Sequence, residues 1–181
     1  MSRIVEIVPY DPNWPDKYNA EMVLIAGALG SNLAAAHHIG STAVPGLAAK
    51  PTIDILLVVD SLDALDASNE KMSDLGYQAK GEHGIPGRRY FQKLDGDVHL
   101  FHIHAFNPGH PDVDNHLNFR DYLIAHPKTA QAYQHLKRDL AKRYRHQPAA
   151  YTAGKDTFIW EVNQQAAAWR SVQSEEPSKR Q

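Results

Sequence analysis

The chain has 181 residues, 43% apolar and 22% charged, a balance that suits one domain with a buried core and excludes a disordered or fibrous chain. Its formal net charge of -2 gives no bulk electrostatic case for binding nucleic acid. The absence of cysteine excludes disulfides, thiol catalysis and thiolate metal sites together.

No apolar run approaches the roughly 20 residues needed to cross a bilayer. Glu6 and Asp11 interrupt any signal-like core at the start, so no membrane partner and a cytoplasmic location are expected. Residues 11–15 read as a turn that opens a helix, with Asn13 as N-cap and Pro15 in the first turn. Trp14, Tyr18, Met22, Ile25, Leu29 and Leu33 then recur at steps of three and four, which predicts one apolar helix face. A short strand is expected at 37–39. Residues 53–59 form a near-continuous apolar run with a single charge, Asp54, and predict a buried central strand.

Asp60 and Ser61 stand where they can cap a helix whose face is Leu62, Leu65, Met72 and Leu75. Gly76 and Tyr77 turn the chain back. Two strands follow, 88–94 and 98–106, joined by Asp95-Gly96, a strong hairpin signal. The final third is helical. One helix covers 117–125 and stops before His126-Pro127. A second carries Ala130, Tyr133, Leu136, Leu140 and Tyr144, and a third Phe158, Ile159, Val162, Ala166 and Trp169 after a turn at 151–154. Strands early and helices late predict an α+β fold, a small mixed sheet packed against helices. A single domain over 1–173 and a polar tail over 174–181 are expected.

The chemistry concentrates between His38 and Ile55. Gly40-Ser41 ends one predicted strand and Asp54 stands near the start of the next. A glycine there lets backbone N–H groups approach a ligand, and the hydroxyls of Ser41 and Thr42 add donors for phosphate oxygens. An aspartate on the neighbouring strand can hold a divalent cation that bridges those phosphates, the logic of a polymerase-β-like nucleotidyltransferase site. A buried, unpaired carboxylate costs several kcal/mol, so Asp54 should face a cation, an arginine or a cleft.

His102 and His104 project to one face of their strand, about 6.5–7 Å apart along the backbone. With Asp54 they make a two-histidine, one-carboxylate set, which suits manganese, iron, zinc or nickel better than magnesium. The alternative, that both imidazoles line a polar cleft or face solvent, stays open. His99 falls on the opposite face of a regular strand. Lys50 can reach a phosphate from its loop. Arg88 and Arg89 go to opposite faces, and Arg89 is carried as the anion-binding candidate. Lys137, Arg138, Lys142 and Arg143 read as the wet face of a helix.

The stretch Ile39-Gly-Ser-Thr-Ala-Val-Pro-Gly-Leu-Ala-Ala-Lys-Pro-Thr-Ile-Asp-Ile resembles the signature of the GrpB family. Phe101-His-Ile-His, Phe119-Arg-Asp-Tyr-Leu with His126-Pro127, Tyr151-Thr-Ala-Gly-Lys-Asp-Thr-Phe-Ile and the opening Val8-Pro-Tyr-Asp-Pro-Asn-Trp agree with it. The resemblance implies a nucleotidyltransferase-like fold, a nucleotide or phosphorylated small molecule as partner, and a magnesium or manganese ion. Related domains occur fused to dephospho-CoA kinase, and the family has also been labelled a folding accessory domain. Lys155 resembles the basic residue that many nucleotidyltransferases bring to the triphosphate from a helical segment. The chain departs from an active nucleotidyltransferase at Leu56, where a second carboxylate is usual, and Asp97 at the hairpin end is the sole nearby substitute for a third. Three readings follow: a metal-dependent nucleotidyltransferase, a transition-metal hydrolase using Asp54, His102 and His104, and a non-catalytic binding or folding accessory module.

Overall fold

The computed structural model describes residues 4–175. Helix α1 spans Trp14–Leu29. The turn before it is tied by Asp11, whose carboxylate accepts from the Asn13 backbone and side-chain amides, both at 2.9 Å, while Asn13 itself makes no cap bond. The helix stops four residues before Leu33. Gly30, at φ 55, ends it and Leu33 begins strand β1, Leu33–Ile39, so this strand is longer than its sequence pattern predicts.

Strand β2, Ile53–Val59, is central and buried. Ser61 caps α2 (Leu62–Ala67) by accepting from Ala64 N–H at 3.1 Å. The expected single helix breaks at Ser68, and α3 runs over Asn69–Asp74. A short strand β3, Tyr77–Ala79, follows where the sequence shows only a turn. The hairpin forms as expected from β4 (Arg89–Asp95) and β5 (Val98–Phe106). Helices α4 (Pro111–Ala125), α5 (Pro127–Arg143), α6 (Pro148–Ala153) and α7 (Asp156–Glu175) complete the described chain. Of the tail expected over 174–181, Ser174 and Glu175 belong to α7 and the rest lies outside the described residues.

The five strands form one sheet in the order β1-β2-β5-β4-β3. Only the β2–β5 pair is parallel, so the sheet is mixed and the fold is α+β, as expected. Ile53, Ile55, Leu57 and Val59 point to one face with Phe91 and Ile103, under Trp14, Ile25 and Leu29 of α1 and Leu65 and Met72 of α2 and α3. On the other face Ile39, Leu56 and Phe106 pack against Val113 and Leu117 of α4. A second apolar cluster joins Val44 and Leu47, after β1, to Leu123, Tyr133 and Val162 of the late helices. That second face turns polar towards the start of β2, where Asp54, His102 and His104 stand between sheet and helices. No helix among the described residues is long and apolar enough to cross a membrane.

Candidate functional site

A cleft of about 470 Å³ opens between the polar end of the sheet and the segments of α5 and α6. Asp54 forms its floor. Parallel pairing puts Asp54 beside His102 and Leu56 beside His104, so all four side chains share one face. Asp54 Oδ1 lies 3.3 Å from His102 Nδ1 and 3.7 Å from His104 Nε2. Burial works to raise the Asp54 pKa, but the two imidazoles outweigh it and hold the carboxyl well below the usual carboxylate range. It is an anion at any working pH.

The hydrogen positions on these rings follow from their outer partners. Arg88 Nη1 lies 3.4 Å from His104 Nδ1, and a guanidinium can only donate, so His104 carries its proton on Nε2, facing Asp54. His102 Nε2 lies 2.7 Å from His99 Nδ1. With His99 donating, His102 presents Nδ1–H to the same carboxylate oxygen. His116 of α4 stands 5.0 Å from the His104 ring, and burial is the main cause that lowers its pKa to about 4. It covers that side as a neutral group.

The convergence of Asp54, His102 and His104 matches the sequence reading, but their arrangement is one of donors around an acceptor. A transition ion at Oδ1 would require both facing nitrogens to lose hydrogen, and Arg88 opposes that at His104. Among the described residues, no group of three or more His, Cys, Asp or Glu side chains is arranged to hold a metal ion. The transition-metal set does not fit these positions. A magnesium-type cation needs only one or two carboxylates plus phosphate oxygens, and for that Oδ2 is well placed. Gly40 leaves open the space beside it: a Cβ on Gly40 would lie 2.6 Å from Asp54 Oδ2.

Gly40 begins a short turn, Ser41–Ala43, that leads from β1 past the cleft. Ser41 Oγ accepts from Lys137 Nζ at 2.9 Å, and Ala48 O accepts from the same ammonium at 2.6 Å. Thr42 is buried and shares a 2.8 Å hydrogen bond with His38 Nε2. Lys50 and Lys155 lie over the ring of Tyr151, at 5.3 and 4.8 Å from its centroid. All three lysines line the cleft that contains Asp54.

Several positions differ from the sequence reading. Arg89 is not in the cleft. It faces the opposite side of the sheet and grips Asp66 of α2 through Nε and Nη2 at 2.8–2.9 Å. Arg88 takes the cleft side, 6% exposed, above the Tyr90 ring. His99 joins the site because the β4–β5 register shifts between Lys93 and Leu94, which rephases the residues before Phe101. Lys137 is not on a wet face. It is 2% exposed, and its i+4 spacing from Tyr133, within the apolar stripe of α5, was the available signal. Leu56 is fully buried in the α4 cluster, and Asp97 is exposed at the hairpin turn, so neither supplies a cleft carboxylate.

Residues 4–165 match the family described as GrpB protein. The chain belongs to the GrpB family. UPF0157 protein YqkA of Bacillus subtilis is 42% identical over 168 residues, which is 93% of this chain and 49% of YqkA; the chain thus spans about half the length of that relative. The glutamate-rich protein GrpB of Alkalihalophilus pseudofirmus is 33% identical over 162 residues, covering 87% of this chain and 93% of its own. A dephospho-CoA kinase of Mycolicibacterium paratuberculosis is 32% identical across 91% of this chain and 46% of the kinase. Among solved structures, conserved protein GrpB from Enterococcus faecalis superposes with a TM-score of 0.85 at 33% identity, covering 89% of this chain and 96% of that one. The Cid1 poly(U) polymerase superposes at 0.56 with 17% identity, covering 82% and 49%. The GrpB chain therefore has a nucleotidyltransferase-like fold.

Proposed function

We propose that this GrpB protein binds a nucleotide or another phosphorylated small molecule in the Asp54 cleft together with one divalent cation, magnesium or manganese, and that it is built for metal-dependent nucleotidyl or phosphoryl transfer. The observation that carries this reading is that one cleft holds both a carboxylate kept ionised, Asp54, and three lysines, on either side of the Gly40-Ser41 turn. A fixed anion beside fixed cations suits a ligand that brings phosphate and metal in together.

In this reading Asp54 Oδ2 is the protein's ligand to the cation, which supplies charge neutralisation at the phosphates. Ser41 and the backbone after Gly40 orient phosphate oxygens. His102 and His104 hold Asp54 in place and ionised. Leu56 leaves no protein ligand for a second cation, so a single-cation site is assigned.

The test is calorimetric titration of tag-free protein with nucleoside phosphates, with and without magnesium or manganese. Metal-dependent binding that disappears in Asp54→Asn, with unchanged thermal unfolding, is the expected result. Binding of equal strength without metal, or in Asp54→Asn, removes Asp54 from the role. Folded protein that binds no phosphate compound overturns the reading in favour of a non-catalytic module.

A further inference from the structure

We propose that Ser41 is a nucleophile with Lys137 as its general base, and that in the Asp54 cleft Ser41 takes a nucleotidyl group from a nucleoside triphosphate. The inference rests on the phosphate-and-cation reading of the cleft given above and adds a covalent step to it.

A serine hydroxyl is a weak nucleophile unless a base stands within about 2.6–3.2 Å of it and a third group holds that base in place. Ser41 meets both conditions. Its Oγ lies 2.9 Å from Lys137 Nζ, and Ala48 O, 2.6 Å from the same nitrogen, is the orienting group. The ring of Tyr133, its centroid 4.7 Å from Nζ, covers another side. Lys137 itself is 2% exposed, on the buried face of α5. As an ammonium it donates to both oxygens. As a free amine it still donates to Ala48 O, since a carbonyl can only accept, and turns its lone pair to the Ser41 hydroxyl.

Among the described residues no carboxylate forms an ion pair with Lys137, so none locks it as an ammonium. Burial lowers its pKa to about 7, and Lys155, Lys50 and Arg138 act in the same direction. The groups that face it are Ser41, Ala48 O and Lys50 from the segment between β1 and β2, Tyr133 and Arg138 of α5, and Lys155 before α7. The charged ones, Lys50, Arg138 and Lys155, are all cations and favour the free amine. Near neutral pH a substantial share of Lys137 is therefore a base.

The pair stands beside the cation ligand. Ser41 follows Gly40, where a Cβ would lie 2.6 Å from Asp54 Oδ2, and Ser41, Lys137 and Asp54 line one cleft. Ser41 is partly exposed there. Thr42 does not compete for the role, because it is 1% exposed and its hydroxyl is bonded to His38 Nε2 at 2.8 Å.

The step is a substitution at the α-phosphorus. Ser41 Oγ attacks as its proton passes to Lys137 Nζ, and the Oγ–P bond forms. The bond from that phosphorus to the oxygen bridging to the β-phosphate breaks, and pyrophosphate leaves with the electron pair. Ser41 is left as a nucleotidyl ester beside a Lys137 ammonium. As pH falls through about 7, Lys137 gains its proton and the hydroxyl loses its base, so the rate falls with it.

The experiment incubates tag-free wild-type protein, Ser41→Ala and Lys137→Met with each of ATP, GTP, CTP and UTP in magnesium or manganese. Acid-quenched samples are weighed intact, and any adduct is located by peptide mapping. The same proteins also meet a small fluorophosphonate without metal or nucleotide, which reads the serine alone. Wild type should gain a single nucleotidyl group on Ser41, at a rate that rises by up to about tenfold per pH unit and then levels off. Ser41→Ala should gain nothing from either reagent. Lys137→Met should react about a hundredfold or more slowly with both, while calorimetry still shows it binding nucleotide with metal. The fluorophosphonate rate of wild type should follow the same pH profile, which a merely structural Lys137 would not produce and which needs no folded variant. No adduct on wild type that binds nucleotide, an adduct elsewhere than Ser41, or a rate indifferent to both pH and Lys137→Met overturns the proposal and leaves the phosphate-and-cation reading standing. Fluorophosphonate labelling of Ser41 without a nucleotidyl adduct keeps the dyad and overturns the nucleotide as its electrophile. If folded wild-type protein binds no nucleotide, both readings fall.

Discussion

Gly40→Ala is the substitution that most directly tests how the cleft is built. Gly40 has φ 71 and ψ -169, a region essentially reserved for glycine, and placing alanine there costs about 1–3 kcal/mol in backbone strain. The new Cβ would also lie 2.6 Å from Asp54 Oδ2 and 3.2 Å from Asp54 Cβ. Asp54 cannot retreat as a unit, because β2 is paired on both sides, with Ile39 on β1 and His102 on β5. Its carboxylate must swing instead, which breaks the 3.3 Å contact with His102, a charge-assisted interaction worth about 1.5–3 kcal/mol. Together the two effects predict a loss of about 2.5–6 kcal/mol of stability. Gly46→Ala is the matched control: its φ is +79, but a Cβ there meets nothing within 4 Å. It should lose only the backbone part, about 1–2 kcal/mol. Urea unfolding of both variants separates the terms, and calorimetry should show metal-dependent nucleotide binding lost only in Gly40→Ala. Equal losses of stability with retained binding would refute the close approach of Gly40 and Asp54 as a feature of the site.

Two further outcomes follow from the placement of individual side chains. Leu56→Asp restores the alternate-position carboxylate pattern in sequence, yet it should destabilise the protein by about 3–5 kcal/mol because the carboxylate enters the Ile39–Phe106 cluster. Thermal unfolding measures this, and a stable variant with tighter magnesium binding would show that Leu56 reaches the cleft. Arg89→Ala should leave phosphate binding unchanged and cost at most about 1 kcal/mol, since its partner Asp66 lies on a partly exposed surface. A loss of nucleotide affinity in that variant, measured by calorimetry, would return Arg89 to the cleft.

Much of the fold was legible because it is local. The apolar run Ile53–Val59 needs no distant partner to read as a buried strand, and Asp95-Gly96 specifies its hairpin through backbone conformations of its own residues. Helix α1 was readable up to its end, but its apolar periodicity continued into Leu33 while the conformation of Gly30 stopped it. Strand β3 was not readable, since three residues at a sheet edge carry little pattern and exist as a strand only by pairing with β4. At the site, Gly40, Ser41 and Asp54 were recognisable as residue types whose spacing carries chemistry.

The sequence by itself determined which residues are chemically able to act: a glycine turn, an aspartate in an apolar strand, a His-x-His pair and a set of lysines. Tertiary structure alone decided which of them meet. Arg88 and Arg89 are equivalent as letters, and only the packing of β4 against α2 sends Arg89 away to Asp66. The register shift opposite Leu94 brought His99 to His102 against strict alternation. The docking of α5 on the loop after β1 turned Lys137 from an apparently solvated residue into a buried ammonium on Ser41. The physical reason is common to all three. A side chain's chemistry is intrinsic, and its periodicity is set by neighbours in the chain. The face it presents to a ligand depends on contacts between elements far apart in sequence, and burial then sets the cost of its charge.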